Sequence, residues 1–168
     1  MRSLLTIALA GFAWATTAVA QDPVIVQSVG IVDYGIYRIE LSGRRVPVPT
    51  TAASEVRPAS RAVLIAQTNE IPAKVGTTFG YQIVVNGSPT GALADFEVVV
   101  HPAFTKPDGK VTDTKDRVPW RYWIGKQSSY TYTFDYDWEA VPGNWLIEIW
   151  RNGKRLASKE FVVGAGGK

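Results

Sequence analysis

Strict alternation of apolar and polar residues constrains this chain more than any other feature. In Thr78-Phe79-Gly80-Tyr81-Gln82-Ile83-Val84-Val85, the side chains of Phe79, Tyr81, Ile83 and Val85 fall on every second position. A β-strand points successive side chains to opposite faces, so these four share one face. The stretch 130–138 alternates further: Tyr130, Tyr132, Phe134, Tyr136 and Trp138 on one side, Thr131, Thr133, Asp135 and Asp137 on the other. A helix buries a residue every three or four positions, and neither run fits that period.

The remaining segments divide in the same way. Residues 24–29 and 31–41 read as one long strand with a bulge at Gly35. Residues 61–67 and 96–101 read as two more, the second stopped by Pro102. Asn86-Gly87 reads as a turn, and 103–118 as a polar connection built on Pro107-Asp108-Gly109. Trp120-Arg121-Tyr122-Trp123 follows without an assigned element, and the chain closes with arms 145–150 and 156–163 around Asn152-Gly153, a hairpin turn pair. Seven or eight short strands joined by hairpins predict an all-β fold, an immunoglobulin-like or fibronectin-like antiparallel β-sandwich. A small β-barrel is the alternative.

The first twenty residues are of another kind. Arg2 precedes an apolar run over 4–13, and Ala18-Val19-Ala20 is an A-x-A cleavage pattern. Spanning a bilayer takes roughly 20 apolar residues, so this run is a signal peptide rather than an anchor. Cleavage after Ala20 places the protein in the periplasm or outside the cell, with no membrane span afterwards. One domain is expected over 21–163, with a flexible tail at 164–168. Within it, 42–60 reads as an exposed loop, carrying Pro47, Pro49, Pro58 and the arginines Arg44, Arg45 and Arg57.

Composition narrows the chemistry. There is no cysteine, which removes thiol catalysis, disulfides and cysteine metal sites. The formal net charge is only +3, one unit of it on Arg2, which does not argue for nucleic acid. The single histidine, His101, has no nucleophile elbow to serve, and a strand-end histidine before proline suits a rim position. Asp135, Asp137 and Glu139 would share a side if their strand ran unbroken, as paired carboxylates for a metal or for glycoside hydrolysis require. The same spacing describes the wet face of an amphipathic strand. No catalytic residue, metal ligand or cofactor is therefore assigned. The one candidate ligand surface is Trp120, Arg121, Trp123 and Lys126, flanked by Lys115 and Arg117, where basic and aromatic groups interleave. Its competing explanation is that the aromatic rings complete the core.

Several segments together resemble a family of exported bacterial domains of unknown function, DUF3859. They are Tyr34-Gly35-Ile36-Tyr37, then Ile71-Pro72-Ala73-Lys74-Val75-Gly76-Thr77-Thr78-Phe79-Gly80-Tyr81, then His101-Pro102. Phe134-Asp135 through Glu139 follows, then Val141-Pro142-Gly143-Asn144-Trp145, Lys154-Arg155-Leu156 and Phe161-Val162-Val163. The resemblance implies a compact β fold in the cell envelope and no assigned activity. The loop at 42–60 departs from it by its length. The expected function is a non-catalytic interaction or structural module with an envelope protein as partner. A glycan-binding module using exposed Trp and Tyr rings beside Arg and Lys is the second reading, with Trp138 and Trp150 as further platform rings. A carboxylate-based hydrolase is the third.

Overall fold

A computed structural model describes residues 23–41, 43–47, 55–56, 59–103, 105–111 and 116–164. The expected signal peptide and residues 165–168 of the expected tail lie outside these. Two sheets face one another. The first has the order β4 (Ala59–Ala66), β1 (Ile25–Leu41), β6 (Thr78–Ser88), β9 (Gln127–Thr133). The second has the order β5 (Glu70–Pro72), β11 (Lys154–Gly164), β10 (Gly143–Arg151), β7 (Leu93–His101), β8 (Asp116–Trp123). Every pairing in them is antiparallel except β5 with β11. Within 42–60, β2 (Val46–Pro47) and β3 (Glu55–Val56) pair as a small separate ribbon.

The alternation explains the core. Phe79, Tyr81, Ile83 and Val85 are all fully buried, as are Trp145, Ile147 and Ile149 on β10 and Phe161 and Val163 on β11. At one end of the sandwich Phe79 is the hub. Its ring centroid lies 5.3 Å from Phe134, 5.4 Å from Trp145 and 5.2 Å from Phe161. Tilted and edge-on aromatic pairs like these add about 0.5–1.5 kcal/mol each beyond the area they bury. The Trp145 indole N–H would be stranded in such a core, and it donates to the Val141 carbonyl at 2.8 Å. That bond ties β10 to the turn before it.

Strand β1 serves two neighbours in succession. Ile25 to Ile36 pair with β6, and Ile36 to Leu41 pair with β4. The change of partner occurs at Gly35, which stands opposite Gly80 of β6, itself opposite Thr131 of β9. A Cβ on Gly35 would run into the Ala66 carbonyl and lie 2.9 Å from the Thr68 nitrogen; its φ of 139° is a glycine conformation. A Cβ on Gly80 would run into the Tyr130 carbonyl and lie 2.9 Å from the Thr131 Cα. The two glycines thus let adjacent backbones close up where the sheet bends. Beyond them, β1 and β4 form an arm. Tyr37 is buried at its base, and its hydroxyl donates to Asp33. Burial first, and then the Asp33 carboxylate, push the Tyr37 phenol far above its ordinary pKa.

Three expectations are corrected. Asn86-Gly87 is not a turn: both lie in β6, opposite Ser28 and Val26 of β1. The length of β1 supplies partners that keep β6 extended, and the chain reverses at residues 89–92, where the Ala92 N–H donates to the Pro89 carbonyl at 3.1 Å. Nor does the strand beginning near Tyr130 run to Trp138. It ends at Thr133, and Asp137–Glu139 form a single 3₁₀ turn. The carboxylate of Glu139 causes this break, as described next. The polar connection expected over 103–118 is also shorter, because β8 begins at Asp116.

Candidate functional site

Period-two geometry splits the basic-aromatic patch between the two faces of β8. Trp120 and Tyr122 point inward. Tyr122 is fully buried, and the Trp120 ring lies edge-on to Tyr130 with centroids 5.7 Å apart. Arg121 and Trp123 point outward. Arg121 Nε donates to Asp95 of the neighbouring strand at 2.7 Å. Trp123 is 43% exposed and stands opposite Leu93, itself 39% exposed. The turn after β8 places the Lys126 ammonium over the Trp123 ring, 4.7 Å from its centroid. So Trp123, Lys126 and Arg121 form one outward surface, and Trp120 belongs to the interior. β8 has a paired neighbour on one side only. Pro119, which offers no N–H, sits in it as an edge strand allows.

The acidic group disperses. Glu139 turns inward and is 2% exposed. Its Oε2 accepts the backbone N–H groups of Asp135 at 2.7 Å and Tyr136 at 3.1 Å, and its Oε1 accepts the Tyr132 hydroxyl at 3.3 Å. This carboxylate caps the turn and ends the strand. Burial raises its pKa above the usual glutamate value against the opposing pull of the two N–H groups. Asp135 points to solvent and pairs with Arg45 at 3.2 Å, while Arg45 also meets Glu55 of β3 at 2.6 Å. The nearby carboxylates, Asp135 foremost, push the guanidinium pKa up further. Asp137 is exposed. A hydrolase or a metal centre needs carboxylates that converge, and one buried cap beside two surface groups supplies no such pair. No group of three acidic, histidine or cysteine side chains able to hold a metal occurs among the described residues. His101 lies at the end of β7, opposite Leu146; its side chain is outside the described set.

Alternation over 130–138 missed one arrangement. Where the strand breaks, the Tyr136 ring lies parallel to Trp138, centroids 5.5 Å apart and planes within 10°. Tyr136 is 40% exposed, and its hydroxyl donates to Glu55 at 3.4 Å. Period two puts both rings on one side; their parallel stacking comes where the strand has ended. On the outer face of the five-stranded sheet, Glu148 is also buried. It accepts Arg155 at 2.9 Å and the Trp150 indole N–H at 3.1 Å, so Trp150 is held sideways against the sheet.

The facing four- and five-stranded sheets, with an aromatic core between them and a parallel edge strand beside β11, define an immunoglobulin-like β-sandwich. A solved immunoglobulin-like protein from Pseudomonas aeruginosa has this fold: it is 23% identical, with a TM-score of 0.53 over 86% of this chain and 99% of that one. The chain belongs to the DUF3859 family of domains of unknown function, whose description matches residues 25–163. No curated protein matches it.

Proposed function

We propose that this chain is a non-catalytic interaction module exported to a bacterial cell envelope, and that it docks a protein partner at the β8 edge of its five-stranded sheet. The observation that carries the reading is the exposed pair Trp123 and Leu93 at that edge, with Lys126 over the indole. Interface hot spots favour such a ring, large and held in place, next to a strand edge with free backbone donors and acceptors. Export is supported by the signal pattern in the first twenty residues. The test places a photo-crosslinking side chain at position 123 of the full-length chain in cells. A discrete adduct from the envelope fraction, absent when the same group replaces Val75, supports docking at β8. Equal adducts at both positions, or none, refute it. Recovery of the uncleaved chain from the cytoplasm refutes export.

The parallel Tyr136–Trp138 pair favours a second reading, a sugar-binding module. A flat exposed ring such as Tyr136, backed by the half-buried Trp138, takes the apolar face of a pyranose, and Arg45, Glu55 and Asp135 stand beside it to meet hydroxyl groups. Titrating defined oligosaccharides against tryptophan emission tests it. A saturable change that Tyr136→Ala abolishes supports the reading; identical curves for both proteins remove it.

A further inference from the structure

Three tyrosines meet between the sheets on the side where β8 and β9 face one another without pairing. Tyr81 and Tyr130 are register partners on β6 and β9, ring centroids 6.3 Å apart. Tyr122 enters from β8, against Phe96 at 5.4 Å, and Trp120 covers Tyr130 from outside. Tyr81 and Tyr122 are 0% and 1% exposed. Neither hydroxyl has a hydrogen-bond partner among the described residues. Burial pushes both pKa values well up, so the hydroxyls stay protonated. Tyr81 is the register partner of Tyr130, and Tyr122 stands two residues along β8 from the Trp120 that packs on Tyr130, so both phenols enter the same interlayer space.

A phenylalanine would fill the same space without a polar atom. A buried hydroxyl left unpaired lowers a folding equilibrium constant by roughly ten-fold. Two such groups in one small region, contributed by strands of different sheets, point to a shared partner. We propose that the Tyr81 and Tyr122 hydroxyls jointly bind an internal water molecule that links β6 of one sheet to β8 of the other. Water suits the site because it donates twice and accepts twice, and buried waters in proteins make about three hydrogen bonds. The bridge would fasten the sandwich along the side where the facing edge strands share no ladder.

Crystals of the protein at better than about 2 Å resolution test this directly, since an ordered water then lies within hydrogen-bond range, roughly 2.6–3.2 Å, of both oxygens. A direct Tyr81–Tyr122 hydrogen bond, or density with no such water, overturns it. In solution, the variants Y81F, Y122F and Y81F/Y122F are unfolded in urea. Each single change should lower the folding equilibrium constant about three- to ten-fold, because the water keeps one ligand fewer. The double change should cost less than the product of the two, because the water then leaves altogether. Single variants as stable as the parent, or more stable, refute the bridge: they would mean that each change only deleted an idle polar atom.

Discussion

Glu139→Ala should loosen the end of β9 far more than an ordinary surface substitution. The change removes the acceptor of two backbone N–H groups, at 2.7 and 3.1 Å, and of the Tyr132 hydroxyl at 3.3 Å. A buried donor left unpaired costs about 1–3 kcal/mol. Asp135 and Tyr136 are both exposed residues whose N–H groups regain some water, so three lost hydrogen bonds at about 0.5–1.5 kcal/mol each give a loss of about 2–4 kcal/mol. For a domain of this size that is a fall of roughly 5–15 °C in Tm. Glu139→Gln keeps an oxygen for both N–H groups and turns its amide toward Tyr132, so its loss should stay near 1 kcal/mol. Thermal melts followed by tryptophan emission at neutral pH measure both. A Glu139→Ala protein melting within about 1 °C of the parent would refute the capping argument, as would a Gln variant equally damaged. The pH dependence gives a second check. Burial raises the folded carboxyl above its unfolded value, so folding takes up a proton between the two titration points. Relative to Glu139→Gln, the parent should gain stability as pH falls through that interval and lose it as pH rises past the folded value.

Gly35→Ala and Gly80→Ala should each cost at least about 3 kcal/mol in urea unfolding, because the new methyl meets neighbouring backbone that cannot give. Gly30→Ala, with only the Val84 carbonyl at 4.0 Å, should stay within about 0.5 kcal/mol of the parent. Trp145→Ala should cost about 3–5 kcal/mol, since a fully buried indole between Phe79 and Phe134 leaves a cavity; calorimetry reads it as a lower Tm. Arg45→Ala should cost under about 1 kcal/mol at low salt, because its pairs with Glu55 and Asp135 are part-exposed and screened. The difference from the parent should fade in 1 M salt when unfolding is repeated there.

Much of this architecture is legible in the residue order, for identifiable reasons. Strands with one face turned to the core announce themselves by parity, as in β6 and β10, and Asn152-Gly153 marks the closing hairpin because both residues accept positive φ. Parity fails where a side chain captures the backbone or a partner strand holds it. Residues 134–138 alternate as well as any strand, yet a carboxylate at Glu139 captures their N–H groups and turns the chain. Asn86-Gly87 carries a turn signal, yet β1 reaches far enough to hold it extended. The patch at 120–126 shows the reverse case. Its division was already implied by period two, since Trp120 and Trp123 differ in parity, and clustering by composition obscured it. Glu139 as a cap was not legible, because it depends on where the strand stops; period two put Tyr136 and Trp138 on one side but could not give their parallel stacking.

The change of partner along β1 has a consequence for how this sandwich tolerates alteration. The chain departs from the body just after Ile36 and rejoins it beside that residue at Ala66, so exit and return are neighbours. The described residues between Arg38 and Ile65 leave and return beside one point of β1, and Arg45 and Glu55 reach back to Asp135 and Tyr136. Material added or trimmed there shifts no register between β6, β9 and the opposite sheet, and the entropy of closing a longer excursion rises only slowly with its length. The stretch at 42–60 therefore falls where the architecture is permissive: length can change here while the strands that define the fold keep their register.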